Sequence, residues 1–436
     1  MSNAEWMARS LASVWHPCTQ MKQHEHFPLV PVARAQGAWL HDFDGRRYLD
    51  GVSSWWVNLF GHSHPYINAA IAKQVESLEH AMLAGFTHRP VVELAERLAK
   101  LAPGKLGHAF FASDGACATE IALKMAFHYW RNAGRKGKDR FVALEGGYHG
   151  ETVGALAVTD VPLFRDAYAP LLRRGIVTAF PARHARDHHY AGIHGAEAAC
   201  AALESLLADK HGQVAALIVE PLVQGAAGMR FYHPEFLKRA RALCTRYEVL
   251  LIADEIMTGF GRTGTMFACE QAGIAPDLLC LSKGITGGYL PLSCVLSSDA
   301  IYGAFYDDRT ARGFLHSHSY TGNALACRAA LTVLDIFDDD DVLEDNRSKS
   351  ARWTALAAPL AAHPRVRHFR HVGMIWAFET DTLRTDFPRW CFAEGLKRGI
   401  LLRPIGNTIY FMPPYIVTDD EFARLVERTL AIVDRA

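Results

Sequence analysis

Two rhythms of hydrophobic and polar positions run through the middle of this chain. Apolar runs recur at Phe141-Val142-Ala143-Leu144, Ala216-Leu217-Ile218-Val219, Val249-Leu250-Leu251-Ile252 and Leu278-Leu279-Cys280-Leu281. Runs without polar alternation predict strands covered on both faces, as in a mostly parallel sheet. Between them the apolar spacing turns helical. Ile121, Met125, Ala126 and Tyr129 share one face of a helix predicted over 116–131, with Ser113 or Asp114 as its cap. Another helix is predicted over 324–337, stopped by the acids Asp338 to Asp341. Strands alternating with helices give an α/β class.

Each apolar run ends at polar or glycine-rich residues: Glu145-Gly146-Gly147-Tyr148-His149, Glu220-Pro221, Asp254-Glu255 and Ser282-Lys283. In open α/β sheets ligands bind beyond the carboxyl ends of the strands, so four candidate groups are expected at one edge. After the acid run, Gly373-Met374-Ile375-Trp376-Ala377-Phe378 and Thr408-Ile409-Tyr410-Phe411 predict strands of a smaller α+β domain. The expected division is a large domain over 61–335 and a small one over 336–436. Residues 1–60 are expected to join the small domain and a subunit interface. The basic stretch Arg131 to Arg140 is expected to be a surface loop.

Composition narrows the partners. The chain has 436 residues, 50% hydrophobic and 21% charged, which is ordinary for a globular protein with room for two domains. Lys+Arg and Asp+Glu are both 46. Zero net charge argues against nucleic acid as the main partner and gives no general attraction to membranes. No apolar run reaches the roughly 18 residues of a membrane span. Met1 to Ser10 lacks a basic start followed by an apolar core, so no secretion signal is read there. The nine cysteines are never spaced as CxxC. They suit a reducing cytoplasm better than a disulfide framework or a zinc site. His24/His26, His62/His64 and the stretch His184 to His194 lack paired carboxylates or thiols at ligand spacing, so no metal is expected.

The chemistry centres on Lys283, 29 residues after Asp254. A lysine closing one apolar strand and an acid closing another are what a buried pyridine aldehyde needs: an amine to bond the aldehyde and a carboxylate for the ring nitrogen. A desolvated lysine has a lowered pKa and forms imines. Successive strand residues point to opposite faces, so only one of Asp254 and Glu255 can face such a ring. Ser113-Asp114-Gly115-Ala116 opens a helix, where free N–H groups can hold a phosphate; in isolation it reads equally as a plain capped helix. Residues His316 to Asn323 precede another helix and offer a second phosphate contact. Tyr148 sits between glycines on a turn, where an aromatic can stack on a planar ring. Gln224 can hydrogen-bond a cofactor oxygen. Of the adjacent Trp55 and Trp56, one is expected in the core and one along a substrate channel. Arg403 can clamp a carboxylate in a bidentate pair or form a surface ion pair.

Taken together, Gly147-Tyr148-His149-Gly150, Glu220-Pro221 with Gln224-Gly225, Asp254-Glu255 before Gly259 to Gly264, Ser282-Lys283-Gly284 and Thr321-Gly322-Asn323 resemble the class III aminotransferases of pyridoxal-phosphate fold type I. The match covers nearly the whole chain. Trp15-His16-Pro17, Ser53-Ser54-Trp55-Trp56, Gly228 to Pro234, Arg403-Pro404 and Met412-Pro413-Pro414-Tyr415 resemble one branch of that class, the adenosylmethionine–8-amino-7-oxononanoate aminotransferases of biotin synthesis. The resemblance implies an α/β fold with a mostly parallel seven-stranded sheet, pyridoxal 5'-phosphate as cofactor, and a cytoplasmic homodimer. S-adenosylmethionine and 8-amino-7-oxononanoate would be its small-molecule substrates. It implies Lys283 as the Schiff-base lysine and Asp254 as the ring-nitrogen partner. Tyr148 would lie over the cofactor and contact substrate. Gly115 and Ala116 would bind phosphate through N–H groups, with His318 beside them and Ser319 helping from the other subunit. Trp55, Ser317, Arg403 and Tyr410 would contact substrate.

Three positions depart from the family. Cys18 follows Trp-His-Pro where a substrate-recognising Tyr is usual, Ala116 stands for a Ser in the phosphate turn, and His318 stands for a Pro in the loop near Ser319.

Overall fold

The computed structural model describes residues 1–27, 29–181 and 193–436. They form two compact units, one of Tyr66–Arg347 and one of Met1–Pro65 with Ser348–Ala436.

The Tyr66–Arg347 unit is built on seven strands: β1 (His108–Ala112), β2 (Arg140–Leu144), β3 (Ile176–Thr178), β4 (Val214–Val219), β5 (Leu250–Asp254), β6 (Leu278–Leu281) and β7 (Ser293–Ser297). Their spatial order is β1-β7-β6-β5-β4-β2-β3. From β6 to β3 every neighbouring pair is parallel, and β7 alone runs antiparallel to its neighbours. Strands β4 to β7 are buried at every position, which is why their sequences show no alternation. The fold class read from the sequence is the one observed. Strand β5 runs two residues further than its apolar run and includes Asp254.

Helix α1 (Gly115–Asn132) buries Ile121, Met125 and Ala126. Of the two candidate caps the structure uses Asp114, whose Oδ1 accepts from the Cys117 N–H at 3.0 Å. Helix α2 (Ala324–Asp339) is capped by Asn323 and ends in the exposed acids.

In the basic stretch before β2, exposed at Arg135 and Lys136, one residue departs from the expected surface loop. Lys138 is buried, its Nζ donating to the carbonyls of His211 (2.7 Å), Val214 (3.1 Å) and Glu248 (2.7 Å). Three carbonyls accept the three protons of an ammonium, the condition for burying one. Those acceptors lie far along the chain, so composition read this residue as solvated.

In the other unit, Val32–Gln36, Trp39–Asp42 and Arg47–Asp50 form an antiparallel ribbon that Ile400–Leu401 extends in parallel. A second antiparallel sheet holds Val366–Val372, Ile375–Thr380 and Thr408–Phe411. Its strand starts at Ile375 because Gly373, at φ 52°, forms the turn before it. Trp353 and Trp376 pack on Phe422, with ring centroids 4.5 and 5.0 Å away.

Among the described residues no helix is long and apolar enough to cross a membrane. No group of three or more His, Cys, Asp or Glu that could hold a metal occurs among them either. Most of the His184 to His194 stretch lies outside the described residues.

Candidate active site

Strand register assembles the site in the Tyr66–Arg347 unit. Ala253 of β5 pairs with Val219 of β4, so Glu220 emerges beside Asp254. Asp254 pairs with Cys280 of β6, and Lys283 follows three residues later. The turn Gly146 to Gly150 leaves the end of β2, which is parallel to β4. Parallel strands thus deliver groups from four distant segments to one edge.

Asp254 is buried, and its two oxygens are held separately. Oδ2 accepts from His149 Nδ1 at 2.7 Å and Oδ1 from the Ile256 N–H at 3.1 Å. His149 is buried as well, and its Nε2 has no partner among the described residues. Glu255 points elsewhere, accepting from the N–H groups of Ala268 (2.7 Å) and Cys269 (2.8 Å). Its role is to hold the loop after β5. Glu220 accepts from the N–H groups of Tyr148 (2.9 Å) and Gly225 (3.0 Å). Burial pushes its carboxyl up to about 7, opposed by His149 and the two N–H donors and reinforced by Asp254. Lys283 has a left-handed backbone, φ 47°. Desolvation lowers its pKa, while the charges of Asp254 and Glu220 oppose that shift.

Ala116 lies one residue inside α1, so its N–H and that of Gly115 have no intrahelical acceptor. The Gly147–Gly150 turn packs against this helix start: a Cβ on Gly150 would lie 2.6 Å from that of Ala116. Ser113 Oγ meets His318 Nε2 at 2.9 Å, which joins the two candidate phosphate segments within one chain. Ser317 and Ser319 are exposed on either side of His318. Gln224 is buried; Nε2 donates to the Glu145 carbonyl at 3.1 Å and Oε1 has no partner among the described residues. Tyr148 is half-buried, its hydroxyl donating to Glu151 at 2.9 Å and its ring edge-on to Phe164.

The remaining candidates belong to the other unit. Trp55 is 41% exposed, and the Arg403 guanidinium sits 4.1 Å from its ring centroid. No described carboxylate forms an ion pair with Arg403, so its fork is available to a ligand. Trp56 is the core member of the pair, donating through Nε1 to the buried Tyr410 hydroxyl at 2.9 Å. Cys18 is exposed and left-handed at φ 52°.

The residues missed by sequence reasoning are the ones that act on other residues. His149 and Glu220 were visible only as members of motifs. Nothing in spacing pairs His149 with Asp254, 105 positions away.

A buried carboxylate fixed by an imidazole, a desolvated amine, two free N–H groups at a helix start and a buried amide with an unmet acceptor form one donor set. It fits the ring nitrogen, aldehyde and phosphate of pyridoxal phosphate. Known proteins agree. The model of the family "Aminotransferase class-III" matches residues 19–433. The adenosylmethionine-8-amino-7-oxononanoate aminotransferase of Helicobacter pylori is 45% identical over 98% of this chain and 97% of its own length. The crystal structure of the enzyme of that name from Methanocaldococcus jannaschii superposes with a TM-score of 0.93 at 34% identity, covering 99% of both chains. An amine transaminase from an uncultivated Pseudomonas species, solved in its PLP-bound form, superposes with a TM-score of 0.89 at 33% identity, over 97% of this chain and 98% of that one. The chain belongs to the class III aminotransferases and is a pyridoxal-phosphate-dependent enzyme.

Proposed function

We propose that this chain transfers an amino group from S-adenosylmethionine to 8-amino-7-oxononanoate, giving 7,8-diaminononanoate in biotin synthesis, as a cytoplasmic homodimer. The observation that carries the reading is the full-length likeness to the Helicobacter pylori enzyme of that name.

Pyridoxal phosphate, when bound, supplies an aldehyde that joins amines covalently and a ring that takes up the electron pair left by a departing proton. Lys283 holds the cofactor through Nζ. Desolvation lowers the pKa of Lys283 against the opposing charges of Asp254 and Glu220, which would favour a neutral amine able to take the proton from the substrate Cα and give it back across the substrate nitrogen. Asp254 keeps the proton on the ring nitrogen, and the His149 bond fixes that carboxylate in place. Tyr148 would lie against the ring and contact substrate. Gly115 and Ala116 bind the phosphate through N–H groups, with Gln224 and His318 as further cofactor contacts and Ser319 reaching across the dimer. Trp55, Tyr410 and the backbone of Ser317 shape the substrate channel, with Cys18 at its N-terminal side. Arg403, stacked on Trp55, pairs with a substrate carboxylate. Donor and acceptor use the same site in turn, a ping-pong scheme.

A second reading, an ω-aminotransferase for other amines, is supported by the likeness to the Pseudomonas amine transaminase. Paired assays separate the two. Adenosylmethionine with 8-amino-7-oxononanoate is expected to turn over at least about 100-fold faster than a simple amine with pyruvate, a difference of about 2.7 kcal/mol in transition-state binding. Lysine as donor forms a third arm of the same assay. Lys283→Ala is expected to abolish both the visible absorption of the lysine-linked cofactor and turnover; retained turnover would sink the assignment.

A further inference from the structure

A second convergence of charge lies in the unit of Met1–Pro65 and Ser348–Ala436. A surface cavity of about 320 Å³ is lined by Arg46, Arg47, Lys397, Arg398, Arg424 and Arg428, and no carboxylate lines it. Glu394 pairs with Lys397, at 2.8 Å, with Arg398 and with Arg435, one carboxylate among three cations. The other four guanidinium groups form no ion pair with any described carboxylate.

These groups are held in place rather than free to disperse. Arg428 donates through Nη1 to the carbonyls of Arg398 and Gly399. Gly399 has φ 66°, and a Cβ there would lie 3.0 Å from the Arg47 carbonyl and 3.1 Å from Arg428 Nη1, so glycine permits this approach. Arg47 and Arg424 lie over the Trp39 ring, 4.6 and 6.0 Å from its centroid. Trp39 is itself fixed by its Nε1 bond to Glu421 at 2.6 Å. Burial lowers the pKa of Arg428, and Arg424 and Arg47 press it the same way, with Glu427 opposing them. Packing thus holds like charges together with their fork donors incompletely used. A multivalent anion would relieve the repulsion and match those forks. The small volume and the zero net charge of the chain favour a small anion over a nucleic acid.

We propose that this cavity binds the polyphosphate group of a small soluble ligand, with Arg47, Arg424 and Arg428 as its principal donors.

Inorganic triphosphate titrated calorimetrically into the cofactor-loaded enzyme tests this, with the cofactor occupying its own phosphate site. One saturable site per chain is expected, weakening as salt rises. Arg424→Gln and Arg428→Gln are each expected to weaken it at least about tenfold, the loss of one charge-assisted hydrogen bond, with transaminase turnover unchanged. Arg47→Gln, on an exposed strand position, supplies the same reading if Arg428→Gln does not fold. Phosphatidylcholine vesicles carrying phosphatidic acid are expected not to co-sediment the enzyme. No saturable heat, or equal heats in wild type and Arg47→Gln, would mean an adventitious ion only and overturn the proposal. Vesicle binding that Arg47→Gln abolishes, without triphosphate binding, would overturn the soluble ligand.

Discussion

His149 Nδ1 lies 2.7 Å from Asp254 Oδ2, where a carboxylate oxygen accepts from its N–H, and Nε2 has no partner among the described residues. A hydrogen bond to a charged group contributes about 1.5–3 kcal/mol. His149→Ala is therefore expected to lower single-turnover amine transfer by about 10- to 100-fold. His149→Asn, which keeps a donor near the Nδ1 position, should recover most of that loss; equal rates for both variants would remove the positioning role. Glu220 makes a pH prediction. Its folded pKa of about 7 lies above its ordinary 4.5, so the folded state holds this proton more tightly than the unfolded chain. Its contribution to stability is complete below the ordinary value and is lost as pH rises through about 7, by about 3 kcal/mol in all. Glu220→Gln removes that slope, so its thermal midpoint should approach the wild-type midpoint as pH rises from 4.5 to 8, within the window those values set. A gap independent of pH would show that Glu220 does not titrate there. Lys283 and Asp254 were legible as candidates because each closes an apolar run. That Glu220 and the His149 turn gather at the same edge was legible too; which atoms meet there was not, since those pairings come from other strands.

Among the elements, the turn Ser53–Trp56 is the one the sequence conceals. Its four residues have φ of 51°, 46°, 69° and 74°, a left-handed turn without glycine. Each such residue costs about 1–2 kcal/mol. Side chains hold it there: Ser53 Oγ donates to the Met412 carbonyl at 2.7 Å and Ser54 Oγ to Asp50 at 2.8 Å, with Trp56 tied to Tyr410. His62 binds the same Asp50 oxygen at 3.1 Å. The result presents Trp55 to Arg403. Strain of this kind is often stored where a ligand is recognised. Ser54→Gly and Ser54→Ala both lose the hydroxyl, but only glycine relieves the backbone. Ser54→Gly is expected to be more stable by about 1 kcal/mol, read from the two thermal midpoints. An alanine variant equal to or better than glycine would deny the strain. By contrast, α1, β2 and β4 to β6 were legible as elements, because burial on both faces or along one stripe writes itself into apolar spacing, whereas the short, partly exposed β3 was not.

At the scale of the whole molecule, the proposed homodimer predicts a sedimenting mass of twice 48.3 kDa for the cofactor-loaded enzyme. A fully active monomer would leave Ser319 without the site it is proposed to serve. The sequence by itself determined the α/β class, the run of strands that carries Lys283 and Asp254, and the family. Those rest on local periodicity and on motifs read in order along the chain. Only the tertiary structure decided which of Asp254 and Glu255 meets His149, that Lys138 is buried and that Trp55 stands on a left-handed turn. Each of these depends on strand register or on partners from distant segments. Backbone pairing fixes such contacts in space, and sequence spacing carries no record of them.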